Sequence, residues 1–330
     1  MQHYDFITIG SATRDIFVKS SAFRAERPWH GRGGTKLVLP LGAKIDVAPP
    51  VLATGGGATN AAATFRNFGY SVAYLGAVGN DDNGNAVLDD LRARSITTDF
   101  VRRPSGLATA FSVIVTAGAH DRVVLTYRPP KEFVSAYYEP LKKLKARWLY
   151  LTSLAGKLPL ARSIIVAAKQ RGMKIAWNPG NDELRERESV LRLLPAVDAL
   201  LLNREEAGVL MRRPNASMSQ LCHMVGRHMR GIAVTSDGRR GLCAVEHHAM
   251  YCVDAHTNIP VVESTGAGDA LGSGFLVGLV RSHGNMTDAV QYGLANAESV
   301  IQKVGAKNGL LKHVPTTAQR PRVTVRHFQR

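Results

Sequence analysis

The chain has 330 residues, 45% of them hydrophobic, which is enough for a sizeable core in one large domain or two small ones. Its 42 basic residues outnumber 26 acidic ones, for a net charge of +16, but the excess is scattered over pairs such as Arg102-Arg103, Arg212-Arg213 and Arg239-Arg240; it suits a solvated surface that attracts anionic substrates better than a nucleic-acid face. No apolar run is long enough to span a bilayer, no basic-then-apolar leader opens the chain, and Cys222, Cys243 and Cys252 show neither metal spacing nor an even disulfide count, so a reducing cytoplasm is expected.

In chain order, Tyr4 to Gly10 reads as a buried first strand, and Gly10 to Asp15 follows where a doubly wound sheet places its ligand loops. Asp15 also suits a simple turn. Residues 16 to 54 have no helical period. Their apolar runs, with Ala108 to Val115 and the alternating, β-branched Arg122 to Tyr127, suggest a small sheet set apart from the main layers. The polar, Gly-rich insertion between Ser20 and Lys36 reads as mobile. Gly55-Gly56-Gly57 then makes a tight turn before a helix from Asn60 to Phe68, with Gly69 as its stop. A dinucleotide-binding turn fails here, because the glycines neither follow the first strand nor keep G-x-G-x-x-G spacing.

From Val72 the pattern alternates: strand Val72 to Ala77, helix Asn83 to Arg94, strand Trp148 to Thr152, helix Pro159 to Arg171, strand Lys174 to Trp177 and strand Val197 to Leu202. Strands separated by helices imply βαβ units, hence an α/β protein with a doubly wound, mostly parallel sheet covered on both faces. Asn203-Arg204-Glu205-Glu206 fits a helix capping arrangement. Ile232 to Thr235 is a short buried strand, Ser236 to Gly241 a loop, and Leu242 to Glu246 and Met250 to Val253 two further strands. Thr287-Asp288 reads as the cap of a helix ending near Val304. The tail from residue 313 to 330 is basic, with Pro315, Pro321 and no helical pattern; it reads as either disordered or strand-like, and no role is assigned to it.

The chemistry concentrates at Thr265-Gly266-Ala267-Gly268-Asp269, which opens an apolar helical run. Free N–H groups of a first helical turn and the positive end of the helix dipole attract phosphate, and glycines let a ligand come close. A carboxylate there repels phosphate, so it needs a purpose. Accepting a proton from a hydroxyl that attacks the phosphate is one; stabilising its own helix is the other.

These residues carry a resemblance. Thr265 to Asp269 resembles the C-terminal signature of the PfkB/ribokinase family of carbohydrate and nucleoside kinases, and Gly55 to Ala63, about two hundred residues upstream, resembles its N-terminal signature. The resemblance covers about residues 4 to 311. It implies a ribokinase-like three-layer α/β/α fold, with a main domain over residues 1–14, 53–104 and 130–312 and a β-sheet lid over 15–52 and 105–129. It implies that Asp269 is the base, that amides of Gly266, Ala267 and Gly268 hold the transferred charge, and that Asp15, Gly56, Gly57 and Asn60 bind the acceptor. Asn203, Thr235, Gly238, Thr265 and Asn296 would bind ATP, Glu206 would reach Mg²⁺ through water, and the lid would be a dimer surface. Glu263 and Ser264 depart from the usual Asp-Thr, and Gly305 to Gly309 lacks a common Ser, which leaves a K⁺ site open. The function so implied is ATP-dependent phosphorylation of a sugar hydroxymethyl group. A nucleoside kinase, a sugar-phosphate kinase needing a cationic cluster such as Arg14, Lys44 and Arg128, and a non-catalytic ligand- or nucleic-acid-binding relative are the alternatives.

Overall fold

The computed structural model describes residues 2–26, 35–117, 122–130, 141 and 143–328. Its organising element is a nine-stranded sheet with helices on both faces. In chain order the elements are β1 (Gln2–Ile9), β2 (Thr13–Lys19), β3 (Arg24–Glu26), β4 (Lys36–Val38), β5 (Val51–Gly55), α1 (Gly57–Asn67), β6 (Val72–Leu75), α2 (Asp82–Ala93), β7 (Ala110–Thr116), β8 (Arg122–Tyr127), β9 (Leu144–Leu151) and α3 (Leu158–Gln170). There follow β10 (Lys174–Trp177), α4 (Asn181–Leu184), α5 (Arg187–Leu193), β11 (Ala199–Asn203), α6 (Arg204–Met211), α7 (Met218–Gly226), β12 (Ile232–Ser236), β13 (Leu242–Glu246), β14 (Ala249–Val253), α8 (Ala267–Arg281), α9 (Met286–Val300) and β15 (Thr324–His327).

The large sheet has the order β15-β14-β13-β12-β11-β10-β9-β1-β6, parallel from β6 to β12 and antiparallel beyond. Its central strands are apolar on both sides because both sides are covered. Ile7, Leu149, Ile175 and Leu200 pack against Ile164 of α3 and Leu221 of α7. On the other face Phe6, Tyr150, Leu201 and Val234 pack with Phe65 of α1 and Phe275 of α8. The Phe6 and Phe65 rings stack at 3.9 Å.

The separate small sheet is present, in the order β5-β2-β7-β8. Asp15 therefore stands within strand β2, paired with Ser112 and Ala53, rather than in a loop. The registers place Leu52, Ile16, Val113 and Leu125 in one apolar row across all four strands of its outer face. Most of the insertion between Ser20 and Lys36 lies outside the described residues, but its flanks pair as β3 and β4.

Two further expectations are corrected, and the tail, read as either disordered or strand-like, takes the second form. Asn285, not Thr287, caps α9, accepting a bond from the Asp288 N–H at 3.2 Å. The tail contributes a strand, β15, which pairs with β14 at the sheet edge. The cysteines are not three free thiols: Cys243 and Cys252, nine apart in sequence, sit directly opposite on the β13–β14 hairpin and form a disulfide, leaving Cys222 buried and free. An antiparallel hairpin brings such a pair within 4.1 Å between Cα atoms, which counting cysteines cannot foresee. Among the described residues, no helix is long and apolar enough to cross a membrane.

Candidate active site

The glycine turn and α8 meet the C-terminal ends of the parallel strands, where an open α/β sheet gathers its ligands. Gly266 is the N-cap of α8 in the left-handed region, at φ +82°. A Cβ there would lie 2.5 Å from Ala306 Cβ, so this position requires glycine twice over. At Gly268 a Cβ would meet no protein atom within 4 Å, which leaves the first turn of α8 open on that side. Of the three amides expected to hold charge, that of Ala267 already donates to the Ser264 carbonyl at 3.2 Å.

Asp269 lies in this first turn, and Asn60, 209 residues away on α1, donates its Nδ2–H to Asp269 Oδ2 at 2.8 Å. The other side-chain atom of Asn60, its buried Oδ1, accepts no bond from the described residues. Burial raises the pKa of Asp269; the Asn60 bond and the Lys307 charge oppose this, and the Asp15 charge adds to it. Burial likewise raises the pKa of Asp15, against a bond from Thr13 at 3.2 Å and the charge of Lys307. Lys307 is the buried counter-charge: its ammonium donates to Thr54 at 2.7 Å and to Asp90 at 3.1 Å, and burial pushes its pKa down to about 8.

Asp15 and Asp269 face one cavity of about 390 Å³ together with Asn203, Glu206 and Thr265 to Gly268. Asn203 and Glu206 form a complete capping box at the start of α6, each side chain bonding the other's backbone N–H, at 2.8 and 2.9 Å. Burial raises the pKa of Glu206, the Asn203 N–H lowers it, and the charges of Asp269 and Glu205 raise it again. No cluster of three or more acidic, His or Cys ligands occurs among the described residues. The donor set therefore fits Mg²⁺ held mostly by phosphate oxygens and water, with Glu206 behind the water.

Other expected residues sit elsewhere. Gly56, at φ +100°, would press a Cβ within 2.4 Å of the Ser11 carbonyl, and a Cβ on Gly57 would meet Asp269 at 3.2 Å. Both thus fit the turn against its surroundings rather than standing on the cavity wall. Thr235 is fully buried on the far side of β12, beside Cys222, and strand alternation puts Ser236 on the cavity instead. Asn296 is fully buried and spent inside the fold: its Nδ2 donates to the Ala270 carbonyl at 2.8 Å and its Oδ1 accepts the Leu311 N–H at 2.9 Å. It is corrected from nucleotide contact to a brace between α8, α9 and the segment after them. Gly238 does line a second cavity, of about 690 Å³, which adjoins the first at Gly268 and has apolar walls from Ile259, Leu294 and Ile301.

Two residues on these walls carried no sequence signal strong enough to single them out. Arg122 enters the first cavity from β8, donating to Ser264 Oγ at 2.5 Å and pairing with the buried Glu263 at 3.3 Å. Glu263 also accepts from the N–H and the hydroxyl of Thr265, at 2.8 and 2.7 Å. The departures Glu263 and Ser264 are thus the partners of a lid arginine, a relation visible only once β8 is folded over them. The second residue is His256, on the wall of the larger cavity.

A sequence model of the pfkB family carbohydrate kinases matches residues 41–313. The chain belongs to the pfkB family of carbohydrate kinases. It is 25% identical over 254 residues to an uncharacterized sugar kinase of Archaeoglobus fulgidus, covering 74% of this chain and 97% of that protein. It is 23% identical over 261 residues to the ribokinase of Lactococcus lactis, covering 78% and 82% of the two. Solved structures similar to this pfkB family chain include a probable sugar kinase from Rhizobium etli, with TM-score 0.72, 23% identity and 93% and 96% of the chains covered. Another is the adenosine kinase of Sinorhizobium meliloti, with TM-score 0.73, 24% identity and 92% and 95% covered. These likenesses show the ribokinase fold; the chemistry rests on the site of this pfkB family member itself.

Proposed function

We propose that the protein transfers the γ-phosphoryl group of ATP to a hydroxymethyl group of a sugar. The single observation that carries this is Asp269: a carboxylate held by Asn60 at 2.8 Å, in the first turn of α8, on the wall of the cavity that also holds Asp15. Asp269 takes the hydroxyl proton as the oxygen attacks. The N–H groups of Gly266 and Gly268 and the dipole of α8 face the transferring phosphate, where they stabilise charge without having to reorganise. Asp15 and the open Oδ1 of Asn60 accept hydrogen bonds from acceptor hydroxyls and fix the attacking one in line. Mg²⁺, when bound, neutralises phosphate charge; Glu206 and Asn203 stand where its water shell would meet the protein.

The described acceptor-side wall is built from Asp15, Ser112, Ile114 and Val124, whose polar members suit the hydroxyls of a sugar. Of the aromatic candidates, Phe17 and Tyr127 are absent from that wall, and Trp29 lies outside the described residues. Among the described residues, the cation that lines the cavity, Arg122, is paired with Glu263, which favours a free sugar over a sugar phosphate.

The test is ATP consumption across pentoses, hexoses, sugar phosphates and nucleosides, with and without K⁺, on the wild type and Asp269→Asn. Turnover with a free sugar is expected, reduced about a thousandfold or more in the variant. Near-normal turnover in a folded Asp269→Asn protein would remove the base from this scheme. On this reading the enzyme acts in the cytoplasm, where ATP is available.

A further inference from the structure

The larger cavity carries a paired polar device, His256 with Glu298, that phosphate chemistry does not use. Glu298, on α9, is buried at 8% side-chain exposure and spends both oxygens on one residue. Its Oε1 accepts the backbone N–H of His256 at 2.7 Å and its Oε2 lies 2.8 Å from the ring Nδ1 of His256. A carboxylate can only accept, so in the neutral ring Nδ1 carries the proton and Nε2 carries the lone pair. The ring is a third exposed and lines a cavity that also has the apolar Ile259, Val261, Leu294 and Ile301, the polar Thr257 and Arg239, and Gly268, which it shares with the first cavity. Such walls grip a flat ring on its faces and leave its edge to be read by the few polar groups available.

The geometry points to His256 as the residue that selects the nucleotide base, taking a purine with a 6-amino group over one with a 6-oxo group. This rests on the reading of the cavity as the ATP site. The lone pair of Nε2 accepts a hydrogen bond from an exocyclic amine, whereas a carbonyl oxygen in the same place sets two acceptors against each other, an unfavourable contact that costs more than the bond is worth. Glu298 sets the preference by fixing the tautomer, and it acts through His256 without touching the base.

The design has a sharp consequence. In Glu298→Gln the backbone N–H of His256 still demands an oxygen, so the amide turns its oxygen to that N–H and its NH₂ to Nδ1. Nδ1 must then accept, the ring proton moves to Nε2, and the cavity presents a donor.

The experiment is calorimetric titration of ATP and of ITP, which differ at the purine 6-position, into the wild type, Glu298→Gln and His256→Ala, with no acceptor needed. The expected result is that the wild type binds ATP about tenfold more tightly than ITP. Glu298→Gln is expected to favour ITP, and His256→Ala to bind the two within about twofold of each other. Wild-type preference surviving in either variant, or equal binding by the wild type, overturns the inference while leaving the kinase reading in place. Binding of neither nucleotide by the folded wild type overturns the kinase reading and this inference with it.

Discussion

As the proposed base, Asp269 would act only when ionised, so its surroundings would set a pH limb. Its pKa is raised above the ordinary 3.8 by burial and by Asp15, and held down by Asn60 and Lys307. For the free enzyme, kcat/KM is expected to fall as the pH drops through a limb above the ordinary carboxylate value. Removing the Lys307 charge in Lys307→Met takes away a stabiliser of the ionised form, so the limb moves to higher pH. Removing a like charge in Asp15→Asn moves it to lower pH while weakening acceptor binding. pH profiles of kcat/KM for the two variants check both signs, and shifts in the same direction would refute the charge network. The place of Asp269 was legible in the sequence, because a carboxylate in a glycine turn that opens a helix is chemically odd. Lys307 was not: its ammonium reaches Thr54 and Asp90, 253 and 217 residues away, and no local pattern announces so distant a contact.

At the scale of elements, the first turn of α8 contains two glycines with different physical duties. Gly266 combines φ +82° with a would-be clash against Ala306, whereas Gly268 has no protein atom within 4 Å of its would-be Cβ. Gly266→Ala is therefore expected to cost about 1–3 kcal/mol of stability in urea unfolding. Gly268→Ala should leave the midpoint nearly unchanged yet weaken ATP binding, because its methyl enters the space where the phosphate would approach the helix. The strands from Val72 to Val253 and the helices near residues 83–94 and 159–171 were readable because two-sided burial gives unbroken apolar strands between amphipathic helices, whereas the short α4 and α5 and the helix α7 went unread. What failed was side-chain direction. Thr235 and Ser236 exchange places because one residue of register turns a strand side chain to the opposite face. Asn296, taken for a ligand contact, is consumed by the carbonyl of Ala270 and the N–H of Leu311, a debt of backbone groups that appears only when α8, α9 and the segment beyond are packed together.

At the scale of the whole molecule, the small sheet lines the cavity with one face and shows the other to solvent. Leu52 and Leu125 on that outer face are 55% and 58% exposed, beside Ile16 and Val113 in the same row. A contiguous apolar face on an edge sheet invites a partner, and we propose a second copy of the chain as that partner. The wild type is then expected to sediment as a dimer and the Leu52→Lys, Leu125→Lys double variant as a monomer; a monomeric wild type at micromolar concentration would refute this. The bond between Asn60 and Asp269 has a different reach. Because its halves are contributed by the first and last thirds of the polypeptide, no fragment or nascent chain that lacks either third can assemble this pair. Turnover is thus an all-or-nothing report on the completed tertiary structure, and in a refolding experiment enzymatic power should return with the slowest phase rather than with the early gain of helix.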